Sequence, residues 1–71
     1  MENANNDKHD VPIWYKTNLT INEAAAYSNI GINKISAMLK SRNCPFVLYV
    51  GNKKLVKRIA FEEYLKNKQF I

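Results

Sequence analysis

Cysteine and histidine each occur once in this chain, glycine only twice, and no apolar run is longer than Phe46–Val50. Each scarcity excludes something. Cys44 alone forms no internal disulfide, and Cys44 with His9 falls short of the ligand set that a zinc site needs. Two glycines leave no glycine-rich loop to cradle a phosphate. The single histidine sits in a polar N-terminal stretch, so no Ser-His-Asp set can be assembled, and no paired-carboxylate cleft is available either. The chain is therefore read as a non-enzyme with no cofactor and no metal. Its apolar runs are too short to cross a bilayer and it opens on no signal peptide, which predicts a cytoplasmic protein with no membrane partner.

What the chain does have is charge, unevenly placed. Residues 31–60 hold Lys34, Lys40, Arg42, Lys53, Lys54, Lys57 and Arg58 and no acid, whereas residues 1–30 carry a small excess of acid. The net charge of +5 is thus gathered in the middle of the sequence. Segregation of this kind makes one basic face, and a basic face on a small domain points to a polyanion partner. With 71 residues, 46% of them hydrophobic, the chain has enough apolar material for one folded domain and too little for two.

Residues 1–9 are polar and read as a flexible arm; residues 10–71 read as the domain. Pro12 holds the next stretch extended, and Ile13 with Trp14 is expected to lie on the core as a lid, because so small a chain needs its aromatics for burial. Thr20 followed three residues later by Glu23 is a capping box, predicting a helix from about Ile21 to Ser28. Ile21, Ala24, Ala25 and Ser28 give it a narrow face of small residues that lets a second helix approach. Asn29, which tolerates the left-handed conformation, stops it.

Asn33 is placed to cap a second helix from about Lys34 to Ser41. Ile35, Met38 and Leu39 form its apolar side; Asn33, Lys34, Ser36, Ala37 and Lys40 form the other. Pro45 ends the loop that follows. Phe46–Val50 is β-branched and aromatic, and Gly51-Asn52 is a two-residue turn of type II′, so Lys53–Lys57 returns as the second strand of a hairpin with Asn52, Lys53 and Lys54 at its tip. Ile59 to about Lys68 reads as a last helix with Phe61, Tyr64 and Leu65 on one side. Cys44 reads as a small buried hydrophobe; Tyr15 and Tyr49 read first as core or interface packing residues, with a reach to a DNA backbone oxygen as the alternative.

Helix, short turn, helix, hairpin, helix is the order of a small α+β winged helix-turn-helix: two to three helices with a two-stranded antiparallel wing. Its dimensions suit duplex DNA. A second helix fits the major groove with its N-terminal side chains at base edges, and a basic hairpin tip reaches phosphates or the minor groove.

Several motifs run in one register from residue 10 to about residue 65. They are Asp10-Val11-Pro12-Ile13-Trp14, Leu19-Thr20-Ile21-Asn22-Glu23-Ala24, Tyr27, Ile30-Gly31, Asn33-Lys34-Ile35, Gly51-Asn52-Lys53, Lys57-Arg58 and Phe61-Glu62. Together they resemble the excisionases of conjugative transposons, within the excisionase-like winged-helix family. The resemblance implies a recombination directionality factor: an accessory protein that binds repeated sites in the arms of an integrated element, bends them, and helps a tyrosine recombinase (integrase) assemble an excisive complex. It also implies recognition-helix positions at Asn33, Lys34, Ser36, Ala37 and Lys40 and wing positions at Asn52, Lys53 and Lys54. Family members often carry longer cationic residues where this chain has Ser36 and Ala37; Ala37 can at most touch a thymine methyl.

Each position also has a plainer reading. Asn33 either caps its helix or reads a base; Lys57 and Arg58, like Arg42, contact phosphate or serve the fold. Lys54 and Leu55 break the usual alternation of the second wing strand, leaving open which of them turns inward. The partners expected are double-stranded DNA and, by resemblance, the integrase, for a monomer that cooperates on adjacent sites. Two other functions fit the composition. A small MerR-like transcriptional regulator would dimerise through a long helix, for which the chain leaves little length after its last helix. A basic protein-interaction module would bind an acidic partner and show no duplex preference.

Overall fold

The structure, a computed structural model, describes residues 11–71; the arm expected over residues 1–9 lies outside the described residues, as does Asp10. One turn of 3-10 helix, Ile13–Tyr15, leads into β1 (Asn18–Leu19), α1 (Ile21–Ser28), α2 (Ile32–Lys40), β2 (Val47–Val50), β3 (Lys53–Lys57) and α3 (Arg58–Lys66). The strands form an antiparallel sheet in the order β1-β3-β2, with Leu19 opposite Val56 and Val56 opposite Val47. This is the expected α+β winged helix with one strand more than the sequence predicts. Strand β1 is two residues long and carries no run of β-formers; it exists because β3 offers it a partner.

Local chemistry sets the helix ends. In α1 the capping box is complete: the Glu23 N–H donates to Thr20 Oγ1 at 3.1 Å and the Thr20 N–H donates to Glu23 Oε1 at 3.0 Å. Asn29 ends the helix with φ 63°, the left-handed conformation expected of it. The start of α2 corrects the sequence reading. Gly31, not Asn33, is the N-cap, since its carbonyl already accepts the first helical bond from the Ile35 N–H at 3.1 Å. Asn33 therefore lies inside the first turn, and its side chain is exposed rather than engaged as a cap. Between β2 and β3, Val50 and Lys53 pair across Gly51-Asn52. Gly51 has φ 59° while Asn52 stays at negative φ, the sign pattern of a type II′ turn. A Cβ at Gly51 would meet nothing within 4 Å, so the glycine is there for its backbone angle.

Strands β1 and β3 and the three α-helices each send one or two side chains into a single core, and Phe46 joins them from just before β2: Leu19, Ala24, Ile35, Leu39, Phe46, Val56 and Phe61 are all buried. Phe46 stands at its centre, with ring centroids 5.0 Å from Phe61 and 5.1 Å from Tyr64 in tilted geometry. Cys44 packs against this cluster from its edge. Ala24 of α1 is fully buried, so a larger side chain there would have to displace its neighbours in the core.

Aromatic placement departs from expectation. Ile13 packs on the core, but Trp14 is 60% exposed and Tyr15 72%. The 3-10 turn explains this: it turns one of three successive side chains inward, and Ile13 takes that place. Tyr49 is 62% exposed as well, so neither Tyr15 nor Tyr49 packs in the core. At the other end, Phe70 is exposed, and Lys68 lies with Nζ 4.9 Å from the Tyr64 ring centroid.

Candidate nucleic-acid interface

Helix α2 is anchored by Ile35 and Leu39, both buried, and half-anchored by Met38. Helical spacing then turns Asn33, Ala37 and Lys40 directly away from the core, with Lys34 and Ser36 on the flanks. Asn33, Lys34, Ala37 and Lys40 are exposed, and Ser36 is half-buried. An open groove of about 330 Å³ runs along the Lys34 flank, floored by Met38, Cys44 and Phe46. Arg42 follows in the exposed loop after the helix.

The wing presents its cations on two sides. Side chains alternate along β3, and Val56 is buried, so Lys54 shares the core-facing side with Val56, while Lys53, Leu55 and Lys57 share the other. This resolves the inward position in favour of Lys54. Leu55 pairs with Leu48 on the outer side, and Lys54 pairs with Tyr49 on the inner side, its Nζ 6.0 Å from the Tyr49 ring centroid. Asn52 and Lys53 are exposed at the tip, and Lys57 is exposed at the base, where it is the N-cap residue of α3.

Arg58 is different from the rest. Its side chain is only 18% exposed, its Nε donates to the Lys16 carbonyl at 2.7 Å, and its guanidinium faces Glu62 at 3.8 Å. Its backbone N–H donates to the Thr17 carbonyl at 3.0 Å. Of the two readings open for Arg58, the geometry supports the structural one: it ties the segment before β1 to the start of α3.

Ion pairing divides the cations in the same way. Among the described residues the pairs are Lys16–Glu23 at 2.6 Å, Arg58–Glu62 and Lys66–Glu63. Lys34, Lys40, Arg42, Lys53, Lys54 and Lys57 form none with a described acid. The Lys16 ammonium, followed by the Thr20 N–H, holds the Glu23 carboxyl below its ordinary value. So α2 and the wing carry six cations whose charge is not answered within the described part of the fold, on a surface dominated by donors. Such a surface can bind a polyanion without rearranging. Tyr49 is exposed here, where the sequence reading put packing first and a contact to a backbone oxygen second. The signal was available: it lies two residues beyond Val47 on the same strand face, where the core has already ended.

Comparison with known proteins follows the same line. The family model described as excisionase from transposon Tn916 matches residues 4–70. An excisionase from transposon Tn916 of Streptococcus agalactiae serotype V is 37% identical over 57 residues, covering 79% of this chain and 85% of that protein. No solved structure gives a significant match.

Proposed function

The chain belongs to the transposon Tn916 excisionase family, and from that membership we propose that it binds duplex DNA through α2 and the wing as an accessory factor of excision, with no bond chemistry of its own. One observation carries the reading: six cations on α2, the loop after it and the wing have no described acidic partner, whereas Lys16, Arg58 and Lys66 are paired with acids and Lys68 lies over the Tyr64 ring. Helix α2 enters the major groove with Asn33, Lys34, Ser36, Ala37 and Lys40 turned to the bases and flanking phosphates. Asn52, Lys53 and Lys54 hold the neighbouring backbone, with Arg42 and Lys57 as further phosphate contacts. Arg58 is left out of that set because its Nε bonds the Lys16 carbonyl, its guanidinium faces Glu62 and little of its side chain is exposed.

The finer reading is architectural. Bound at repeated sites in the arms of an element, the protein bends the duplex so that a tyrosine integrase bridges sites that stiff DNA would keep apart. It acts as a monomer that cooperates with neighbours on adjacent sites, in the cytoplasm; no helix among the described residues is long and apolar enough to cross a membrane.

Selection of duplexes from a random pool at physiological salt tests this directly. One asymmetric motif occurring as direct repeats near element ends is the expected result; a palindrome would point instead to a dimeric regulator. Affinity for the selected duplex should fall with salt at a log–log slope of roughly −4.5 to −6, as five to seven phosphate contacts require. A slope near zero would remove the electrostatic basis of the proposal.

A further inference from the structure

Tyr49 and Lys54 face each other across β2 and β3, one residue pair inside the hairpin tip. They lie on the side of the sheet that carries Val47 and Val56, beyond the point where those valines meet the helices. Tyr49 is 62% exposed, yet it occupies a core-facing register position. No hydrogen bond among the described residues engages its hydroxyl. Above its ring stands the Lys54 ammonium, 6.0 Å from the centroid. Simple edge protection would be met by Lys53 on the outer side, and simple packing by an apolar residue at position 49. Neither accounts for two hydrogen-bond donors side by side on the inner face of the wing.

We propose that Tyr49 and Lys54 together grip one backbone phosphate of duplex DNA, Tyr49 through its hydroxyl and Lys54 through its ammonium, so that the wing binds with its inner face as well as its tip. The inference rests on the DNA-binding reading above and adds a residue to it. A phosphate offers several acceptor lone pairs in a small volume, which is what two convergent donors require. The strand pairing sets the two side chains next to each other on one face of the wing. The ring restricts where the ammonium can go, so less freedom is lost on binding than for a lysine in open solvent. Such a contact is indifferent to sequence and fixes how the wing sits on the backbone.

The test uses the intact protein and a mixed-sequence duplex. Tyr49→Phe keeps the ring and removes only the hydroxyl, so a purely structural tyrosine would leave binding unchanged. The expected result is a roughly tenfold to hundredfold loss of affinity, the range for one hydrogen bond to a charged group, with the unfolding midpoint and the salt slope both unchanged. Lys54→Met keeps the stem and should lower the slope by about 0.9. If both hold the same phosphate, Tyr49→Phe costs less in the Lys54→Met background than alone. Unchanged affinity for Tyr49→Phe, while Lys34→Ala and Lys53→Ala still weaken binding, overturns the inference and leaves the DNA reading standing. Strictly additive losses overturn the shared phosphate. Absence of salt-dependent binding by the unaltered protein overturns both.

Discussion

Beside the start of α3, Lys16 and Arg58 are engaged by the fold, whereas the cations on α2 and at the wing tip, with Lys57 at the base of the sheet, pair with no described acid. Arg58 donates to the Lys16 carbonyl and faces Glu62, and Lys16 in turn holds Glu23 at 2.6 Å. A few residues away along β3, Lys53 stands exposed with no described acid beside it. The two regions use the same residue types for opposite purposes. One set joins segments far apart in sequence; the other keeps its charge available. The difference lies in whether an acid or a carbonyl was placed within reach, and it shows why a count of lysines and arginines overstates the binding surface.

The largest disturbance expected is one that removes what both regions share. Phe61→Ala would open a cavity against Phe46 and cost about 3–5 kcal/mol, which approaches the whole stability of a small domain, roughly 5 kcal/mol or a little more. Urea unfolding should find little stability left in this variant, and base and tip should be lost together at low denaturant. A smaller change separates them. Arg58→Met keeps the aliphatic stem but leaves the Lys16 carbonyl without its partner, and should lower the unfolding free energy by about 1–3 kcal/mol. Measured well below its melting temperature, DNA affinity and salt slope should not move; a drop in slope would return Arg58 to the contact set.

The mirror experiment acts at the tip. Lys53→Ala should leave stability within about 0.5 kcal/mol while reducing the salt slope by about 0.9. It should weaken binding evenly across sequences, whereas Lys34→Ala on α2 should alter the preference between them. Equal loss of preference from both would erase the division of labour between helix and wing. The smallest effect concerns Glu23. Its carboxyl is held below the ordinary value of 4.5 by Lys16 and by the Thr20 N–H, so the stability it contributes is fully present above that value. That contribution is lost as pH falls through the lowered value. Melting temperature against pH should therefore decline below about pH 4.5, and Glu23→Gln should flatten part of that decline.

Signals between near neighbours were legible in the sequence. Thr20 and Glu23 are three residues apart, and they place α1 without help from the rest of the chain. Gly51-Asn52 likewise placed the hairpin, with Lys53–Lys57 as its return strand. Features set by distant partners were not. Arg58 and Lys16 are 42 residues apart, so nothing local marked Arg58 as structural. Strand β1 depends on β3 in the same way. The start of α2 was misplaced because Asn33 is the better capping residue by type, while the backbone turn at Asn29 brings Gly31 into the cap position first. Exposure of Trp14 and Tyr49 was missed because burial was inferred from residue size rather than from strand register and turn phase. The positions on α2 were legible as a face from periodicity alone; their identity as a DNA surface leaned on resemblance.

Strand β1 has a consequence for how the molecule assembles. Helices α1 and α2 meet through a three-residue turn and the hairpin through two residues, so both pieces can form early from short-range contacts. Pairing of Asn18 and Leu19 with Lys57 and Val56 instead closes α1, α2 and the hairpin into one long loop, an entropic cost that two residue pairs repay only when the core is already in place. The N-terminal segment is thus the last piece to lock and the first to open, a latch whose amides should exchange with solvent sooner than those of the hairpin it borders.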